Sequence, residues 1–266
     1  MLFFELSLVV IFAYFLASLA SFLGVVIWRT AREESFISGR SRCESCRHQL
    51  SWRDNLPLLS FIFLAGRCRS CQQPIAKRHF ISELLAFSSA FVFYGLYLSL
   101  PSLQAFPPFS LIIYFLFFFV LTFVVWADLQ YLLVPDFLVA LLTTFAIVLL
   151  FIDGGSWLMP FSAAVFAVIF FLLLYFVAKK LLRQEALGLG DVKLMVPLAL
   201  ILSWPGVLVA IFLAFLSGGF FAMMVLALGR KKIGQALPFA PFLVLGAALS
   251  FFYGQALLDW YLKFLF

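Results

Sequence analysis

Charge is scarce in this chain. Asp, Glu, Lys and Arg make up 11% of its 266 residues against 65% hydrophobic residues, which is too little polar surface to cover a soluble globule of that size. Histidine is scarcer still: His48 and His79 are the two in the chain, and both lie in its one sizeable polar segment. A serine–histidine mechanism in the apolar part therefore has no base. No glycine-rich dinucleotide-type loop is present. No inverted repeat is visible either, and the acids do not sit near the middle of apolar runs, so a proton-coupled transporter is the weaker reading.

What the chain does have is long apolar runs, near 5–28, 81–100, 109–128, 135–152, 157–178, 192–203, 205–228 and 238–258. At roughly 17 to 25 residues per span, they predict an all-α polytopic membrane protein of about eight transmembrane helices. The sixth is short and carries Pro197, so it either merges with its neighbour or sits re-entrant, which is tolerated where other helices cover the freed backbone groups. Basic residues test the count: of 18 Lys and Arg, all but Lys263 fall in loops that eight spans place on one side. By the positive-inside rule that side is cytoplasmic and the N-terminus is outside. The opposite loops, near 101–108, 153–156 and 203–206, carry Asp153 alone as a charge. The net charge of +6 then reflects topology and attraction to anionic membrane lipid, and no nucleic-acid partner is expected. The first apolar run follows Glu5 and precedes the positive charge, so it reads as an uncleaved helix and not as a secretory signal.

The chain divides into three regions: a first helix over 1–28, a cytoplasmic segment over 29–80, and a helical domain over 81–266. The middle one holds all four cysteines as two C-x-x-C pairs, Cys43/Cys46 and Cys68/Cys71. With twenty-one residues between the pairs, each knuckle can present two sulfurs to one ion, the pattern of a structural four-thiolate zinc site between helices 1 and 2. A pair of disulfides or idle thiols is the alternative, and a reducing cytoplasm disfavours disulfides. A membrane-anchored zinc module without catalysis would explain 29–80 but not an aspartate behind paired glycines at 188–191.

Asp128 closes the third apolar run, and Asp191 ends Gly188-Leu189-Gly190-Asp191 at the start of the sixth. A carboxylate at membrane depth costs roughly 2.5 to 3.5 kcal/mol on insertion scales, which makes it a functional hypothesis by default. Both fall at the same side of the membrane, and two carboxyls sharing one proton can activate water against a peptide carbonyl and protonate the leaving amine. Asp128 stands where its own helix dipole disfavours a negative charge and Asp191 where the dipole favours one, so Asp191 is expected to ionise more readily. Gly188 and Gly190 let the backbone break and approach a neighbour or an extended substrate. Asp136, beside Pro135, reads mainly as a helix-start residue, and Lys193 as an interfacial anchor that also reaches the site.

These residues resemble the prepilin leader peptidases, membrane aspartyl proteases of the GxGD class. The likeness extends to Ser21-Phe22-Leu23, both cysteine knuckles, Asp54-Asn55-Leu56-Pro57-Leu58-Leu59-Ser60, Gly66-Arg67-Cys68-Arg69, Glu83-Leu84-Leu85 and Pro238-Phe239-Ala240-Pro241-Phe242, in the family's order. The resemblance implies a bacterial cytoplasmic-membrane enzyme that cleaves the basic leader from type IV prepilins, pseudopilins or competence prepilin-like precursors. It implies catalytic roles for Asp128 and Asp191; Gly188, Gly190, Lys193 and Asp136 are, from their positions beside these acids, the candidates for contact with the substrate. Many members also methylate the new N-terminal amine with S-adenosylmethionine. Ala20 and Gly24 stand where many members have Gly and Asn, and Glu44 where proline is usual, variants closer to the competence-type peptidases of Gram-positive bacteria.

Overall fold

The computed structural model describes residues 2–37, 39–100, 103, 107–182, 188–229 and 237–265. Arg183, Arg230, Lys231 and Lys232, on which the orientation of the chain partly rests, lie outside the described residues, as do several positions of the 101–108 loop. Among the described residues the structure is helical, and β pairing is limited to two isolated bridges, Arg42 with Gln49 and Arg67 with Pro74. The chain forms two compact units, Met1–Pro108 and Phe109–Phe266.

In the first unit, α1 (Leu2–Thr30) buries Ala13, Leu16, Ala17, Ala20, Leu23 and Ile27 completely, a stripe at helical spacing. The helix α3 (Lys77–Ser99) packs along it, and Tyr94 donates to Glu5 across the pair at 2.9 Å. Between them lie a 3-10 turn, Trp52–Asn55, and the short α2, Leu59–Phe63. Leu58, just before α2, holds the left-handed φ of 63°, a conformation that costs a side-chain-bearing residue roughly 1–2 kcal/mol. Glu83, buried on α3, offsets that cost by accepting the Leu58 N–H at 2.8 Å. Tyr14 of α1 donates to the neighbouring Pro57 carbonyl.

The second unit contains α4 (Pro108–Tyr131), α5 (Asp136–Ile152), α6 (Leu158–Leu182), α7 (Leu189–Ala227) and α8 (Ala240–Leu265). The 39 residues of α7 are not one rod. Ser203 (φ 52°, ψ −168°) and Trp204 (φ −84°, ψ 143°) leave helical space immediately before Pro205, which lacks an N–H and disfavours a helical predecessor. Contacts show the direction of each half. Gly206 meets Ser250, Ala210 and Ala214 meet Gly246, and Gly218 meets Phe239 and Phe242, so the second half runs antiparallel to α8. It runs parallel to α6, because Trp204 donates to Ser162 and Phe215 meets Phe170 edge-on and Phe171 at a tilt. The first half, starting at the opposite end, is thus a separate segment that turns back at Ser203–Pro205. Just past the break, Ser250 of α8 donates to the Gly206 carbonyl at 2.7 Å and ties the start of the second half to α8.

Among the described residues six helices are long and apolar enough to cross a membrane, and α5 adds a shorter apolar helix of 17 residues. With α7 divided at its reversal, the apolar segments number eight, as the hydropathy pattern predicts. Continuation past Pro197 and reversal at Pro205 resolve the sixth segment: it is neither merged with nor continuous in direction with the seventh.

Helices in this unit meet at two distances. The second half of α7 and α8 pack backbone to backbone, and a Cβ on Gly246 would overlap the Ala210 carbonyl oxygen. By contrast α4 reaches α8 through large rings, Tyr114 and Phe118 against Phe251 and Phe252. At the end of the unit away from Asp128, Ser110 and Tyr114 both donate to Asp153, which accounts for that isolated acid as a clamp between α4 and α5.

Gly246→Val should therefore push α8 from α7, lowering unfolding stability in detergent by about 1–3 kcal/mol, the usual cost of overpacking. Gly95→Ala, where an added Cβ meets nothing within 4 Å, should be neutral or slightly stabilising. Thermal unfolding of the two variants beside the unmodified protein checks this, and equal midpoints would remove the close approach from the fold.

Candidate functional site

Asp128 lies one turn before the end of α4 and Asp191 in the first turn of α7, and both are buried, at 6% and 7% exposure. They line one cavity of about 280 Å³ together with Leu132, Leu133, Val134, Gly188, Leu189, Gly190 and Lys193.

Each carboxyl is aimed at a helix start. Asp191 sits at the positive end of its own helix, where its N–H donates to the Gly188 carbonyl at 3.1 Å. Asp128 Oδ2 accepts the N–H of Ala240, the first residue of α8, at 2.9 Å. The unfavourable end of α4 is thus answered by the favourable end of α8. The asymmetry expected from each residue's own helix loses its basis, because both carboxyls face N-terminal ends. The Phe239–Ala240 backbone is a functional element that side-chain patterns alone do not reveal. A signal was present: prolines at 238 and 241 bracket a helix start, and the free N–H groups of a first turn need an acceptor.

The two glycines differ. A Cβ on Gly190 would lie 2.9 Å from Val134 Cβ and 3.1 Å from its Cγ2, so only glycine lets α7 begin against the 132–134 turn. Gly188 is extended (φ −78°, ψ 142°) and uncrowded, and an added Cβ would sit 3.5 Å from Asp191 Oδ2. Its missing side chain keeps space open beside the carboxyl. Leu132, which turns the chain out of α4, holds φ 53°, a strained left-handed conformation at the cavity wall. Lys193 donates to Asp136 at 2.7 Å, with both side chains largely exposed. Asp136 opens α5 and does not line the cavity of Asp128 and Asp191.

The second candidate centre lies in the first unit. Cys43, Cys46, Cys68 and Cys71 are unbridged, and their sulfurs all lie within 4.8 Å of one another. The Cys43–Cys71 separation is 3.9 Å, matching the roughly 3.8 Å edge of a tetrahedron with zinc–sulfur bonds of about 2.3 Å. The two knuckles share one backbone design: Cys43 donates to the His48 carbonyl and Cys68 to that of Gln73, with Arg47 and Gln72 at φ 58° and 57°. Hydrogen bonding from the Cys46 N–H draws the Cys43 thiol down to about 7, toward the thiolate a metal requires. Among the described residues the cluster contains no histidine. His79 instead faces Glu44, which also pairs with Arg78. Ser51 and Arg69 hold the Asp54 carboxyl below the ordinary range and tie the second knuckle to the 3-10 turn. The donor set fits one structural zinc ion and leaves no ligand position for substrate.

Residues 115–223 match the family model described as type IV leader peptidase family, and residues 15–97 match that of the bacterial peptidase A24 N-terminal domain. A protein of Aeromonas hydrophila named prepilin leader peptidase/N-methyltransferase is 30% identical over 84% of this chain and 74% of its own length. Proteins of the same name from Bacillus subtilis and Klebsiella pneumoniae are 29% and 36% identical, over 86% and 71% of this chain and 88% and 84% of theirs. No solved structure matches.

Purified without chelator, the protein should carry one zinc per chain by elemental analysis. Cys43→Ser with Cys46→Ser should remove it and raise the proteolysis rate of segment 29–80 at least about tenfold, since metal supplies roughly 10–16 kcal/mol to small zinc folds. A metal-free preparation with an intact, protease-resistant segment would contradict the site.

Proposed function

Because the chain belongs to the type IV leader peptidase family, we propose that it is a membrane aspartic endopeptidase that removes the basic leader from type IV prepilins, pseudopilins or competence prepilin-like precursors. The observation that carries this reading is the shared cavity of Asp128 and Asp191. One carboxylate takes a proton from water as its oxygen attacks the scissile carbonyl carbon. The other carboxyl, protonated at the outset, hydrogen-bonds the carbonyl oxygen and then delivers its proton to the departing amine. In such a pair the resting proton belongs to the two together. The Ala240 N–H holds Asp128 Oδ2 and so fixes the carboxyl against the start of α8. Loss of bulk at Gly188 admits an extended chain beside Asp191, which a helical substrate carbonyl, already hydrogen-bonded, does not offer.

The reaction takes place at the cytoplasmic face of the bacterial inner membrane, with the N-terminal end of α1 outside. Supporting this orientation, Lys179, Lys180 and Lys193 gather at the end of the second unit that holds the aspartates, and Asp153 at the other. The zinc segment 29–80 is cytoplasmic, and the peptidase chemistry belongs to the helices after it. N-methylation of the new amine from S-adenosylmethionine, the second activity in the relatives' names, is the step after cleavage. The methyl-donor site is assigned to neither cavity described. A transporter is disfavoured, since both acids occupy helix ends and not the middle of spans.

Asp128→Asn and Asp191→Asn should each lower the cleavage rate by about 10²–10⁴-fold with membrane insertion intact. The assay is the mass loss of a leader-bearing pilin precursor incubated with purified enzyme in detergent. Asp136→Asn should cost about two- to fivefold, in line with helix-start electrostatics of about 0.3–1 kcal/mol. Substantial turnover by either of the first two variants removes that residue from the mechanism.

Gly190→Val should cut cleavage at least about tenfold while lowering the melting temperature little, because its bulk displaces the 132–134 turn from Asp191. Adding Val134→Ala should restore part of the rate, and no restoration would mean that Val134 is not what glycine accommodates.

A further inference from the structure

Beside the catalytic cavity lies a second, wider hollow of about 360 Å³, lined by Asp136, Val139, Ala140 and Thr143 of α5 and by Lys193 and Val196 of α7. The α5 residues recur at intervals of three and four, one face of one helix, and Lys193 and Val196 are likewise a turn apart. Lys193 borders both hollows, so the groove adjoins the space that holds the aspartates. It is also directed. Asp136 is the first residue of α5, and Lys193 lies in the second turn of α7, so both helices lead away from the aspartates and Thr143 stands roughly 10 Å further along. The Thr143 hydroxyl is turned back onto the Val139 carbonyl at 2.8 Å, which leaves the walls apolar, and Ala140 provides a small residue where another helix can approach closely.

Resting on the peptidase reading, we propose that this α5–α7 groove seats the apolar helix of the precursor, with the scissile bond held at its mouth between Asp128 and Asp191. A helix entering here has its N-terminal end beside Asp136. Its unsatisfied N–H groups carry a partial positive charge and meet an Asp136 carboxylate that is three-quarters exposed and shares its charge with Lys193 at 2.7 Å. The leader then lies on the other side of the aspartates, outside the groove. The groove thereby sets the distance from the apolar helix to the cut, so specificity comes from where the helix begins as well as from the residues flanking the bond.

The test uses the full-length protein carrying Asp191→Asn to slow turnover, reconstituted in lipid, with a photo-crosslinking amino acid at 140 or 143. Controls carry it at Val165 or Leu173, two exposed positions of α6. Crosslinking to the apolar helix of a leader-bearing precursor should be at least tenfold greater from the groove positions than from the controls. In the otherwise unmodified enzyme, Ala140→Trp should raise KM for the precursor at least about fivefold with kcat within twofold. Equal capture from groove and control positions, capture of lipid alone, capture of a second copy of the chain, or an unchanged KM would each overturn the groove. Failure of the unmodified enzyme to cleave the precursor at all would overturn the peptidase reading beneath it.

Discussion

Two carboxyls buried among apolar helices are the constraint around which the second unit is organised. Isolated charge there costs several kcal/mol, and the fold answers with helix starts and not with basic side chains. Asp191 opens α7, and Asp128 takes the first N–H of α8. For α8 to begin at Asp128, the second half of α7 must return to that end. This explains why a 39-residue helix breaks at Ser203–Pro205 and why its returning half packs so tightly on α8 at Gly246. The reversal, the glycine contact and the acid at the end of α4 are parts of one arrangement.

Donors fixed in a backbone differ from an ion pair in a way that suits proton transfer. A lysine or arginine beside Asp128 would hold it ionised throughout a catalytic cycle, whereas an amide N–H tolerates both protonation states of its acceptor. The lysine that is near, Lys193, is turned to Asp136.

Much of this is legible in the sequence because it rests on local pattern. Eight apolar segments come from hydropathy alone, and the four cysteines converge because each knuckle is a local turn whose spacing dictates where its sulfurs point. Asp128 and Asp191 stand out by being acidic where acid is costly. Hidden from the sequence is the docking of Asp128 on α8, since that hydrogen bond joins residues 112 apart and its donor is a backbone group with no side-chain signature. Gly190 is similar: glycine announces a close approach but not the partner, which is Val134. Glu83 is visible as part of a motif, yet its role under Leu58 depends on a turn with positive φ that the sequence does not mark.

The central claim is that Asp128 and Asp191 hold one proton between them in a common cavity. Infrared titration of the purified protein, following the carboxyl stretching band against pH and subtracting spectra of Asp128→Asn and Asp191→Asn, measures this directly. Coupling predicts two widely separated steps in the unmodified protein, collapsing to one displaced step when either residue is replaced. Two steps that each survive unchanged after loss of the other residue would show that the acids titrate independently and would contradict the shared proton.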